Sequence, residues 1–317
     1  METDIYVGLD ISKEDIYVGS TMNKNVFSVE NSLRGFKKIL KFLKDLQVRA
    51  VVMEASGGYE RDIFYFLLRY KIPSVIVNPK NVRRYAEAMG VLAKTDKIDV
   101  KVISAFALAI KPTPITAIDE GVEELKDLVK RREQILNAVK SEKNRLSKSR
   151  NGIRKSIERV ISFLEDELKK IENEMDELIK SRKDFQEKID VIESIPGAGR
   201  VLSMAIVALM PEMGKIPKKQ LSSLIGIAPY PKESGKLKKK GRITGGRSLI
   251  RKVLYMATVS AIKFNKEIRA FYLRLKGKNK PGRVCIVACM NKFLRIINAL
   301  LKNNVMWDED FLTAKAA

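Results

Sequence analysis

Residues 115–195 contain no proline, and from 157 to 178 the apolar residues Ile157, Ile161, Leu164, Leu168, Ile171, Met175 and Leu178 advance by four and three in strict alternation. This heptad seam specifies a long helix with one apolar stripe, which needs a second helix to cover it. Phe185, Ile189 and Ile192 resume the pattern after Arg182, and "SRNGIRKS" (149–156) supplies a break. Two helices are therefore expected, over about 119–149 and 154–193, packed as a coiled coil or a long antiparallel pair. The flanks suit either arrangement, since residues 111–194 carry 19 basic and 19 acidic side chains. Such a segment divides the chain into three: 1–112, a helical middle over 113–194, and 195–317.

The first part alternates between two periods. "DIYVGLD" (4–10), "DIYVGS" (15–20) and "NVFSV" (25–29) read as short strands joined by polar turns. "SLRGFKKILKFLKDL" (32–46) has helical spacing, "RAVVME" (49–54) is a buried type of strand, "ERDIFYFLLRY" (60–70) a helix and "PSVIVN" (73–78) another strand. Pro79 suits a first helical turn and Gly90 a stop, and "TDKIDVKVISAFALAI" (95–110) ends the part as an apolar helix. Three strands followed by alternating helix and strand imply a mixed-sheet α/β domain. The last part reads as mostly helical.

Charge is uneven along the chain. Residues 1–110 hold 17 basic and 13 acidic side chains, whereas residues 195–317 hold 25 and 6. The last third is the expected polyanion-binding surface, and nucleic acid is the common polyanion. There is no histidine, which excludes Ser-His-Asp and Cys-His chemistry and His-ligated zinc. A bound metal would take oxygen ligands, as magnesium or manganese do. Cys285 and Cys289 are too few for a disulfide framework. No run of apolar residues is long enough for a membrane span, and the acidic N-terminus does not resemble a signal peptide, so a cytoplasmic protein without a membrane partner is expected.

Four carboxylates stand where a sheet could gather them. Asp10 ends the first strand, Glu54 ends the central strand, and Asp96 and Asp99 lie three apart at the start of a helix. Together they could hold two divalent ions for phosphoryl transfer. Singly, each has a plainer reading: Thr95 as an N-cap with Asp96 favouring the helix N-terminus, and the other two as polar strand ends. "PGAGR" contributes Gly197, Gly199 and Arg200 and resembles a helix-hairpin-helix turn, which binds DNA backbone. The stretch 231–252 surrounds Ser234 with Lys236, Lys238, Lys239, Lys240, Arg242, Arg247 and Arg251, cations that could neutralise a phosphate. From the residues alone, Ser234 is a turn residue or a nucleophile. Without histidine, its base would be Glu233, a neutral lysine or a metal-bound hydroxide.

The series "YVGLDISK", "VVMEASGGY", "VNPKNVRRYAEAMG", "KTDKIDVKVI" and "IPGAGRVLS…LIGIAPYPKESGK…RITGGRSLIRKVLYMA" resembles, over essentially the whole chain, the DEDD insertion-sequence transposases of the IS one-ten family, also called bridge-RNA-guided recombinases. The resemblance implies a RuvC-like N-terminal domain of RNase H fold, with Asp10, Glu54, Asp96 and Asp99 as magnesium ligands. It implies a coiled-coil middle joining protomers and a C-terminal transposase domain whose Ser234 forms a covalent phosphoserine with DNA. It further implies a tetramer, built from dimers, and a non-coding bridge RNA that pairs with donor and target DNA. Two alternatives share the residues: a metal-dependent nuclease in which Ser234 only binds, and an architectural nucleic-acid-binding protein with no catalysis.

Overall fold

The computed structural model describes residues 4–308 except 24, 94, 235 and 236, and does not describe the side chains of 231–240. The chain forms two compact units, 1–119 and 120–317.

Unit 1 is built on five strands: β1 (Ile5–Ile11), β2 (Asp15–Ser20), β3 (Phe27–Glu30), β4 (Val48–Glu54) and β5 (Ser74–Val77). Their order is β3-β2-β1-β4-β5. The first three are antiparallel, and β1, β4 and β5 run parallel. The helices are α1 (Leu33–Lys44), α2 (Arg61–Arg69), α3 (Pro79–Ala88) and α4 (Asp96–Ile110). Each expected element is present, because strong periodicity coincides with explicit start signals. Ser32 caps α1, Asn78 accepts from Lys80 N–H at 2.9 Å ahead of Pro79, and Thr95 accepts from Ile98 N–H at 3.3 Å.

Strand alternation splits the core between the two sheet faces. Val7, Leu9, Ile11, Val51 and Met53 pack with α1 and α2, whereas Tyr6, Ala50 and Val52 pack with α3 and α4. Asp10 and Glu54 share the parity of this second set. The mixed sheet, with helices on both faces, is compatible with the RuvC-like fold that the resemblance implied.

Unit 2 opens with α5 (Glu120–Leu146) and α6 (Asn151–Lys180). Ion pairs Arg132–Glu172 and Lys143–Glu165, both 2.7 Å, fix these as an antiparallel pair. The second expected helix is interrupted: α6 stops at Lys180 and α7 (Lys183–Glu193) begins anew. Arg182 adopts an extended backbone at the break, clasps Asp184 at 2.8 Å and lays its guanidinium 4.4 Å over the Phe185 ring. These local contacts offset the lost helical turn. Only Ile161 and Met175 of the seven seam residues are fully buried. Met175 and Ile179 join Leu125, Val129, Phe185, Ile189 and Met204 in one core. The helical middle thus shares a core with α8 (Arg200–Leu209).

The remaining elements are α9 (Lys218–Ile225), β6 (Pro229–Ser234), β7 (Leu237–Ile243), α10 (Ser248–Phe264), α11 (Lys266–Gly277) and α12 (Gly282–Asn303). The basic run around Ser234 pairs β6 and β7 into an antiparallel ribbon. Strand pairing uses the backbone alone, and lysine-rich strands tolerate an exposed edge. By length and mean hydropathy, 1.7, α12 could cross a membrane, yet half of that apolar window is buried. Cys289, Phe293, Leu294, Ile297 and Leu300 lie in the core of unit 2, so α12 is a central packing helix.

Candidate active site

Strand register sets two acids of unit 1 side by side. Leu9 pairs with Met53 on the neighbouring parallel strand, which sets Asp10 beside Glu54 at the carboxyl ends of β1 and β4. On the other side, Asp10 pairs with Tyr17 of β2. Both carboxylates are half-buried.

The first turn of α4 reaches the same face because two glycines leave room for it. Ser104 Oγ accepts from Gly8 N–H at 3.2 Å and donates to Gly19 O at 3.1 Å or Val100 O at 2.9 Å. A side chain at Gly8 would meet Ser104 Oγ at 2.6 Å and Val100 O at 2.7 Å, and one at Gly19 would meet Val100 Cγ1 at 3.1 Å. Val100 and Ser104 are seated there, and the preceding turn of α4 holds Asp96 and Asp99. The charge of Asp96 foremost, then burial, then Asp15, a hydrogen bond with Asp96, and Asp10 together hold the Tyr17 phenol above its usual pKa. Tyr17 therefore reports that Asp10 and Asp96 share one electrostatic neighbourhood.

As the side chains stand, no three acids among the described residues are close enough to hold one ion. The donor set nevertheless fits a hard divalent cation in kind. Asp10, Glu54, Asp96 and Asp99 are all carboxylates, mounted on adjacent strand ends and one helix start.

Glu60, which the sequence reading missed, organises the loop that follows Glu54. It is 7% exposed, and its Oε2 accepts from Ser56 N–H at 3.0 Å, Ser56 O–H at 2.8 Å and Gly58 N–H at 2.8 Å. Burial alone would raise the Glu60 pKa, but these hydrogen bonds outweigh it and hold the carboxyl below its ordinary value. The readable signal was "SGGYE", a serine and two glycines whose amides need an acceptor. Because the folded pKa is depressed, this stabilisation is present above the ordinary glutamate range and is lost as pH falls through the lower folded value. Glu60→Gln is expected to cost about 1–2 kcal/mol at neutral pH and to flatten the acid limb of a pH–melting profile. An unchanged acid limb would contradict this role.

In unit 2, Ser234 ends β6, its backbone paired with Leu237. Its side chain, and those of Lys238, Lys239 and Lys240, lie outside the described residues, as does Lys236 altogether. Arg242 is exposed on β7. The other cations have internal partners. Arg200 pairs with Asp176 at 2.6 Å and Glu193 at 3.5 Å. Arg247 donates to Leu209 O at 2.7 Å and pairs with Glu212. Arg251 donates to Ile225 O at 3.0 Å and Gly245 O at 2.5 Å, tying the end of α9 to the start of α10. A phosphate contact by any of these would compete with those bonds. Gly197 has φ +93° and lies against α10, whereas the surroundings of Gly199 are open.

Comparison with known proteins matches both units. Residues 7–151 match a DEDD-type model described as "Transposase", and residues 189–273 match the model "Transposase IS116/IS110/IS902 family". The chain is 23% identical to the pilin gene-inverting proteins of Moraxella bovis and Moraxella lacunata, covering 96% of this chain and 98% of each relative. It is 24% identical over 165 residues to an insertion element IS900 uncharacterized 42 kDa protein of Mycobacterium paratuberculosis, half of this chain and 41% of that one. With both family models satisfied in order, over more than two thirds of its length, the chain belongs to the IS116/IS110/IS902 family of transposases, which act in DNA recombination.

Proposed function

We propose that this transposase exchanges DNA strands through a covalent phosphoserine intermediate at Ser234, with the carboxylates of unit 1 completing the active site. In the first step the Ser234 Oγ–P bond forms as the P–O bond to one deoxyribose breaks, and the leaving oxygen takes a proton. Attack by a hydroxyl of another strand reverses the step and regenerates serine, so the bond energy is conserved. Asp10, Glu54, Asp96 and Asp99 would hold magnesium, or manganese in its place. Bound there, the cation would offset charge on the phosphate and the leaving oxygen. The observation that supports the metal part of the reading is the register that sets Asp10 beside Glu54.

The substrates are donor and target DNA, with a bridge RNA choosing the sites by base pairing. Dimers pair into a tetramer in which the acids of one subunit serve the serine of another. The basic last third, 25 cations against 6 acids, supports a nucleic-acid partner of this size. The same exchange between two sites on one DNA molecule inverts the segment between them, in keeping with the name of the Moraxella relatives.

The test uses purified protein, magnesium, the flanking RNA and end-labelled donor-junction DNA. A denaturant-resistant protein–DNA adduct is expected, absent in Ser234→Ala and in Asp10→Ala. Free cleaved DNA, undiminished in Ser234→Ala, would make the enzyme a nuclease and overturn the proposal.

A further inference from the structure

Residues 268–307 carry nine basic side chains and no acidic one. Six of these, Arg269, Arg274, Lys276, Lys278, Lys280 and Arg283, fall within fifteen residues along α11, the turn after it and the start of α12. All six are exposed. Among the described residues none of them has an ion-pair partner, and the neighbouring acid, Glu267, is held by Lys292 at 2.7 Å. Elsewhere in unit 2, Arg132, Lys143, Arg200 and Arg247 all face acids.

The turn is fixed rather than loose. Lys278 N–H donates to Leu275 O at 3.2 Å, and Asn279, at φ +54°, donates to Lys276 O at 2.9 Å. Cys285, fully buried, places its Sγ 3.5 Å from Lys280 O. The Arg274 guanidinium sits 5.1 Å over the Phe271 ring. Holding six like charges within fifteen residues gives the fold nothing, and an external polyanion would relieve their repulsion. Phe271 and Tyr272 are partly buried in the core, so they offer no open ring for stacking unpaired bases. Five of the six cations lie beyond residue 273, where the family match ends.

We propose that the α11–α12 turn docks the phosphate backbone of duplex DNA, the substrate class of the family to which the chain belongs. Contacts of this kind position a duplex without reading its sequence.

The full-length chain is tested with four exposed cations neutralised together: Arg274→Gln, Lys276→Gln, Lys278→Gln and Lys280→Gln. Binding to labelled duplex DNA and to labelled duplex RNA is measured by anisotropy across a salt series. Each phosphate contact contributes about 0.9 to the log–log salt slope on B-DNA, so the slope is expected to become shallower by about 3–4. A change with duplex RNA alone would overturn the proposal. An unchanged slope with both would overturn it, as would an equal change in a control carrying Lys169→Gln and Lys183→Gln, whose lysines pair with Asp166 and Glu187. Should the fourfold variant melt early, Lys278→Gln alone is expected to lower the slope by about 0.9.

Discussion

Gly8→Ala is expected to destabilise unit 1 by about 2–3 kcal/mol and to abolish DNA cleavage, although the residue carries no functional group. The new Cβ would lie 2.6 Å from Ser104 Oγ, 2.7 Å from Val100 O and 3.0 Å from Ser104 N. Two of these three atoms are backbone, so no rotamer change can relieve the overlap. α4 must lift, and the hydrogen bond from Gly8 N–H to Ser104 Oγ is lost with it. Under the proposed function, lifting α4 also displaces Asp96 and Asp99, so activity should fall further than stability alone accounts for. The matching control is Ser104→Ala in the Gly8→Ala background. It removes the hydroxyl and leaves the Val100 carbonyl, so it should not rescue. Thermal melting and DNA cleavage, measured together, check both halves. Full activity in Gly8→Ala would show that the seat of α4 does not set the acids.

Gly197→Ala is expected to cost about 3–4 kcal/mol in unit 2, lowering its melting temperature by about 10 °C. Its φ of +93° disfavours any side chain, and a Cβ would come within 2.4 Å of Ala261 Cα and 2.6 Å of Ala261 N on α10. Gly199, two residues on, has an ordinary φ of −100° at the N-cap of α8 and nothing within 4 Å of a built Cβ. Gly199→Ala should therefore cost no more than about 1 kcal/mol. The pair separates two readings of "PGAGR". If both glycines served only to bare backbone amides for phosphate, the two variants would lose DNA affinity equally and stability hardly at all. The packing against α10 predicts the opposite ranking in a melting experiment.

Much of unit 1 was legible in advance because its signals are local. Thr95, Asn78 with Pro79, and Ser32 announce three helix starts, and the strands announce themselves by alternation. The four carboxylates could be named from their places at element ends. That Asp10 stands beside Glu54 depends on β1 and β4 being parallel neighbours in register, and the seat of α4, which carries Asp96 and Asp99, depends on Gly8 and Gly19. Glu60 escaped notice because its acceptor role exists only once Ser56 and Gly58 fold back onto it. In unit 2, the heptad seam foretold long helices, but the break at Arg182 turned on a clasp with Asp184 and Phe185 that periodicity does not encode. The basic run around Ser234 gave no period, and its pairing into a ribbon is a non-local backbone event.

By itself the sequence determined the periods, the caps, the uneven charge and the inventory of acids, since each is a property of neighbours along the chain. The tertiary structure decided which cations remain unpaired with an acid. Arg200, Arg247 and Arg251 looked as available as Arg274, Lys276 and Lys278. The first three are held by Asp176, Glu212 and the Gly245 carbonyl, the last three by no acid among the described residues. Whether a charge is neutralised depends on what lies within a few ångströms of it, and only packing sets that distance.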